Sequence, residues 1–423
     1  MIKKIIEKNE EKIDKFVFYF SIIDILFFPY IWFISTNYAL PIVAIWALLK
    51  IKEIIKMKEF KISVVLSVLM LISTIISFFY YPKELNSGIE IWVQNVKMMI
   101  QYASYFLYYI LFVYVIRKYD VKVKKILLIF LGFAVVLGVI YMIDKSIFAN
   151  IKTIWNNVDS YTIWYKEGKD IQYRYNFTWT DPNNPAYAFV ALMVFLLLNE
   201  KTNIIEKIYV CTATFFLLIC AMSTGASLSL GLVLIGIFIF DIIPNIKKIK
   251  KYINKKNIFI CILISIAVTL LAITIFVCIS KTDIYKESIT RIFGNTDEGS
   301  SSRIAIWKRV LENSNIFRNF LVGTGGKQVI LNDGTLLAPH NGNLYFIYAY
   351  GMSFYAIFMY EFFRKRKNCT LKNYLFVLPV FIGFTINTIV GEQKFIVLYL
   401  LLYVLSSFRK LNEEESEKIE NIN

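Results

Sequence analysis

Charged residues are scarce in this sequence. Asp, Glu, Lys and Arg make up 18% of the 423 residues, where a soluble protein of this length carries about 25%. With 57% hydrophobic and 17% aromatic residues, that shortfall excludes a soluble multidomain enzyme and a disordered chain. Cysteine is equally sparse. Cys211, Cys220, Cys261 and Cys278 lie within apolar runs, and Cys369 follows a basic stretch. No two have metal-ligand spacing, which excludes a disulfide scaffold and leaves them as small buried hydrophobes. A single histidine, His340, excludes a zinc site built from several imidazoles. No internal repeat is visible. No small-residue cleavage site follows the first apolar run, so the first helix is expected to be retained.

What the chain does have is long apolar runs, roughly 14 to 22 residues each, separated by short polar stretches. They predict an all-α polytopic integral membrane protein, a single transmembrane domain over residues 1–423 with about twelve spans. The expected spans are Phe16–Ser35, Tyr38–Ile51, Phe60–Tyr81, Val96–Ile116, Lys125–Ile143, Pro185–Asn199, Ile205–Met222, Gly225–Ile243, Ile258–Ser280, Asn341–Phe363, Tyr374–Val390 and Phe395–Phe408. The net charge of +16 invites a nucleic-acid reading, but its distribution argues against one. With the N-terminus inside, about two-thirds of the Lys and Arg fall on the cytoplasmic side, in clusters such as Lys247-Lys248-Ile249-Lys250-Lys251 and Arg364-Lys365-Arg366-Lys367. Both termini are then cytoplasmic, with 409–423 as a solvated tail. The basic clusters face membrane lipid headgroups, and no nucleic-acid partner is expected.

Two long segments, 144–184 and 281–340, fall outside. Loops of that length are uncommon unless functional. The first is rich in Trp and Tyr and ends in the turn signal Asp181-Pro182-Asn183-Asn184, after Arg174. The second carries Arg291, and then Ser302-Arg303-Ile304-Ala305-Ile306-Trp307, which predicts an amphipathic helix lying on the outer membrane surface. Ile306, Val310 and Leu311 would share its buried face. Val322-Gly323-Thr324-Gly325-Gly326 is a tight turn and a weak candidate phosphate nest. Arg303 can fork onto phosphate oxygens, and His340 can take a proton near neutral pH. Taken alone, each is as readily a solvated charge or an interfacial hydrogen-bonder. Asp24 is a carboxylate within a span, which by default marks function unless it snorkels.

In their order these residues resemble the O-antigen ligase and polymerase superfamily of bacterial integral membrane proteins. The resemblance runs from Arg174, Asn176-Phe177-Thr178 and Asp181-Pro182-Asn183, through Ser302-Arg303 and Trp307, to Val322-Gly323-Thr324-Gly325 and Pro339-His340-Asn341, ending near Gly351. Where members often carry a Ser-Arg pair after the first large loop, this chain has Ser223-Thr224-Gly225-Ala226-Ser227, and Arg291 is the candidate replacement. The resemblance implies a C-type membrane glycosyltransferase-like fold in the bacterial cytoplasmic membrane. It implies transfer of a glycan from undecaprenyl diphosphate to a hydroxyl acceptor at the outer face, inverting and without metal or other cofactor. Arg303 and His340 would be catalytic. Arg174, Arg291, Asp181, Asn183 and Trp307 would hold the diphosphate and sugars. The partners implied are the lipid-linked oligosaccharide, an acceptor glycan, a chain-length regulator and a flippase. A polymerase of repeat units is favoured over a ligase to lipid A-core. The competing class, a lipid-linked oligosaccharide flippase, predicts an internal repeat, intramembrane charges and short loops.

Overall fold

The computed structural model describes residues 2–29, 37–80, 91–155, 163–164, 172–173, 175–179, 181–244, 303–313, 320–326, 328–332, 334–367, 369–387 and 389–409. These residues are predominantly helical. In chain order the helices are α1 (Ile2–Phe27), α2 (Ala39–Leu49), α3 (Ile51–Ile54), α4 (Lys58–Tyr80), α5 (Ile91–Lys118), α6 (Lys124–Ile143), α7 (Lys145–Lys152), α8 (Asn183–Leu198), α9 (Ile204–Ala221) and α10 (Thr224–Ile237). Then follow α11 (Arg303–Asn313), α12 (Gly342–Phe363), α13 (Leu371–Tyr374), α14 (Val377–Ile386) and α15 (Gln393–Phe408). The strands are two-residue pieces. β1 (Ile163–Trp164) pairs antiparallel with β2 (Gln172–Tyr173), and β3 (Val329–Ile330) with β4 (Leu336–Leu337).

Five helical segments are long and apolar enough to cross a membrane: Lys58–Phe79, Trp92–Lys118, Lys124–Ile143, Ile204–Ala221 and Thr224–Asp241. Ala39–Leu49, Asn183–Leu198, Leu371–Ile386 and Gln393–Phe408 are apolar but shorter. Each span expected from the sequence falls on a helix except Ile258–Ser280, which lies outside the described residues. The first helix begins well before Phe16, and helical structure ends at Phe27.

Burial separates the helices into two sets. In α8 every residue from Asn184 to Leu196 is buried, and in α15 every residue from Gln393 to Leu405. α5 is buried continuously from Tyr108 to Ile116. Helices apolar on all sides belong inside a bundle, and these three form its middle. α4, α6, α9 and α10 cover them and turn their other faces outward. On α4 the outward residues Val64, Val68, Leu71 and Ile75 recur at three- and four-residue spacing, while Leu66, Met70, Ser73 and Ser77 face in.

Helix ends create a second requirement, because their free backbone groups lie among apolar side chains. At the C-terminus of α1, Trp155 Nε1 donates to the Phe27 carbonyl at 2.7 Å, and the buried Lys394 Nζ donates to the Phe28 carbonyl at 2.7 Å. The Asp24 carboxylate Oδ2 accepts the Ala39 amide at 2.6 Å, capping the start of α2. This settles the expectation for Asp24: it is buried, does not snorkel, and serves a helix end. At the opposite end of the bundle, Tyr403 Oη donates to the Glu361 carbonyl at 2.8 Å, and Tyr399 and Tyr374 donate to the carbonyls of Phe362 and Phe363. Together they satisfy the end of α12.

The glycine turn also proves to be a backbone device. Gly351 breaks α12 with φ 81° and ψ 168°. The carbonyls exposed there accept the Thr324 amide (Tyr348 O, 2.8 Å) and the Gly325 amide (Ala349 O, 2.6 Å), and Met352 N donates to Phe320 O at 2.6 Å. Ser73 of α4 donates to the Val322 carbonyl. A Cβ on Gly325 would stand 2.2 Å from Ser73 O, and one on Gly351 would stand 2.3 Å from Leu321 O. The candidate phosphate nest is thereby corrected: these two amides are spent on a broken helix. The turn is tight because a backbone strand is wedged between α4 and α12.

The basic cluster 364–367 is also engaged in structure. Arg366 pairs with the buried Glu361 carboxylate, to which Tyr109 Oη also donates at 2.7 Å. Arg117 nearby forks onto Glu59, with bonds of 3.0 and 2.6 Å.

The cap at Asp24 yields a prediction. Asp24→Asn keeps an acceptor for Ala39 N and should leave the thermal midpoint of the detergent-purified protein within a few degrees. Asp24→Leu strands that amide and should cost about 1–3 kcal/mol. Equal stability of the two variants would show that the cap contributes nothing.

Candidate functional site

The starts of α8 and α12 and the end of α14 meet at the end of the bundle where α1 finishes, and Asp181, Asn183, Arg303 and His340 lie there. Asp181 begins α8. Its Oδ1 accepts the Asn183 amide at 2.7 Å and Asn183 Nδ2 at 2.9 Å, the self-bonded turn expected of Asp-Pro-Asn, with Pro182 at the N-cap. Ser223 Oγ donates to Asn183 Oδ1 at 2.9 Å. The Ser223–Ser227 stretch, where an arginine was missing from the expected pattern, therefore packs directly on the Asp181 turn.

His340 precedes α12. It adopts φ +45°, a left-handed conformation uncommon for residues other than glycine. Asn341 follows in extended backbone and caps the helix, its Oδ1 accepting the amides of Asn343 (2.9 Å) and Leu344 (3.1 Å). Gly342 then lies against α14: a Cβ there would be 2.8 Å from Phe384 O. Asn343 Nδ2 donates to Thr385 Oγ1 at 3.3 Å. These contacts lock the start of α12 to the end of α14. Strain of this kind persists only where the surroundings over-determine it, and it is concentrated at functional sites.

Arg303 opens α11 and reaches the same place from the second long segment. Its Nη1 donates to the Ile386 carbonyl, the last of α14. One edge of the guanidinium is thus tied to a helix C-terminus, where a cation is electrostatically favoured. Its charge reaches His340 and Tyr187, and so does that of Asp181. Arg303, Asp181, His340 and Tyr187 therefore form one electrostatic group. Although the His340 ring reaches solvent, the protein crowded around it pushes the imidazole below its ordinary pKa. Arg303 pushes it the same way and Asp181 opposes. The imidazole is accordingly neutral near pH 7, the state in which it can accept a proton.

The other candidates fare differently. Arg174 and Arg291 lie outside the described residues. Trp307 packs with the apolar cluster of Ile306, Val310, Val329, Leu331 and Tyr348. Ile306 and Val310 of α11 bury against the β3–β4 hairpin and α12. Leu311, a further 100° round the helix, is exposed instead of sharing that face.

Two features went unread in the sequence. Tyr187 stands one turn beyond Asn183, on the same face of α8, and that i, i+4 spacing was available to find it. Lys152 and Lys394 are both buried and both lie in the field of Glu392. Burial lowers the Lys152 amine to about 8 against the pull of Glu392. This grouping joins α7 to α15 and had no signature along the chain. Among the described residues, no three His, Cys, Asp or Glu side chains are grouped to hold a metal.

No protein-family profile, curated protein or solved structure matches the chain.

Because His340 is the only histidine, NMR of isotope-labelled histidine reads it without assignment. It should titrate below the ordinary imidazole range. Arg303→Met should raise its pKa and Asp181→Asn should lower it further. The neutral form is favoured by the fold, so this group's stabilisation is complete above the unfolded imidazole's pKa and is lost as pH falls through it. No response to Arg303→Met would separate the two residues.

Proposed function

We propose that this chain is a membrane glycosyltransferase that joins undecaprenyl-diphosphate-linked oligosaccharide units into a surface polysaccharide. It would act at the outer face of a bacterial cytoplasmic membrane, with about twelve spans and both termini cytoplasmic. The observation that carries this reading is the grouping of Arg303, His340 and Asp181. They come from both long segments and meet at the end of the bundle opposite the Arg117, Arg364 and Arg366 ion pairs.

The chemistry asks for little more than charge placement and orientation, since the donor's anomeric carbon already carries its leaving group. The acceptor hydroxyl oxygen attacks that carbon and passes its proton to the neutral His340. The bond from the anomeric carbon to the diphosphate oxygen breaks, and the electron pair leaves with the diphosphate. Arg303, positioned by its bond to Ile386 O, holds the diphosphate oxygens through its guanidinium. Asp181 and Asn183 orient a sugar hydroxyl. Attack opposite the leaving group inverts the anomeric centre. No metal is needed in this scheme, because arginine supplies the positive charge.

In a strain lacking the protein, single repeat units should accumulate on undecaprenyl diphosphate at the outer leaflet, read by extracting and sizing the lipid-linked saccharides. Long chains retained on the carrier would make it a ligase. Units trapped on the inner leaflet would make it a flippase. Arg303→Lys should reduce polymer formation more than tenfold at unchanged expression, because an ammonium cannot reproduce the bidentate fork. A fully active Arg303→Ala variant would sink the site assignment.

A further inference from the structure

Tyr187 is the one member of the electrostatic group that neither the motif order nor the scheme above uses. It lies in the first turn and a half of α8 and is 1% exposed. It lies in the fields of both Arg303 and Asp181, which act on it in opposite senses. Among the described residues, its hydroxyl meets no hydrogen-bond donor or acceptor. It is not among the sealed polar atoms left without a partner, so its donor stays within reach of a ligand where the protein supplies no acceptor.

The packing around the ring is specific. A Cβ on Gly225 would fall 2.0 Å from Tyr187 Oη, and a Cβ on Gly383 would fall 2.9 Å from the ring. The N-terminus of α10 and the C-terminal half of α14 are thus cut back to glycine where Tyr187 passes between them. Phenylalanine would fill the same ring space but leave the notch opposite Gly225 empty. What the oxygen adds is a neutral donor within the field of a guanidinium.

We infer that the Tyr187 hydroxyl is a third substrate-contacting group of this site, donating a hydrogen bond to the diphosphate oxygens held by Arg303. The inference rests on the glycosyl-transfer reading and deepens it. Tyr187 stands beside the Ser223–Ser227 stretch in which an arginine was missing, and there it supplies a donor without adding charge. As the bond from the anomeric carbon to the leaving oxygen breaks, negative charge grows on the diphosphate. A donor fixed between two glycines needs no reorganisation to meet it.

The test is binding of undecaprenyl diphosphate to the purified full-length protein in detergent. Wild type, Tyr187→Phe, Arg303→Ala and the double variant Tyr187→Phe/Gly225→Ala are compared, with thermal midpoints recorded alongside. Tyr187→Phe should bind about tenfold more weakly at an unchanged midpoint, the loss expected for one hydrogen bond to a charged group. In the double variant the added methyl refills the space of the lost oxygen without restoring a donor, so affinity should stay low. If Tyr187→Phe binds as wild type does while Arg303→Ala does not, Tyr187 is packing only and the functional reading survives. Recovery of affinity in the double variant overturns the inference in the same way. If the wild type does not bind the lipid diphosphate at all, the functional reading fails and the inference falls with it.

Discussion

A backbone that ends or breaks among apolar side chains must find partners for its N–H and C=O groups there, because no water is at hand. Much of this protein's polar inventory serves that need. Asp24 caps α2, Lys394 and Trp155 cap α1, and Tyr399 and Tyr403 cap α12. The 320–326 turn closes the break at Gly351. An acid and a glycine-rich turn that each resemble functional signals in one dimension are thereby explained as helix-end chemistry.

The candidate site grows from the same constraint. Arg303 caps α14 with one edge of its guanidinium, Asn341 caps α12 beside His340, and Asp181 and Pro182 start α8. Three helix ends, each needing a polar partner, bring an arginine, an imidazole and a carboxylate to one place. The capping itself makes this group of residues rigid. A side chain that completes a helix end is held more firmly than one on a free loop.

How far the sequence could be read depended on whether a signal was local. Apolar runs located the helices because hydrophobic length and period are local properties. The Asp-Pro-Asn turn and the start of α11 at Arg303 were legible for the same reason. The buried face of α11 was only half legible. Ile306 and Val310 turn inward, but the position of the hairpin and α12, not periodicity, decided that Leu311 stays outside. Trp307, a candidate for holding the substrate, packs against a small apolar cluster.

By itself the sequence determined an apolar, helical, membrane-type chain with its unusual polar residues concentrated in two long segments. The scarcity of charge and the length of the apolar runs permit little else. Only the tertiary structure decided which polar residues complete helix ends and which face one another. The Asp181 turn and His340 are far apart along the chain, and Tyr187 is flagged by no motif, yet all three share the field of Arg303. Their grouping depends on the packing of α8, α12 and α14. That packing is set by glycines at 225, 342 and 383, whose missing side chains can be interpreted only once their neighbours are in place.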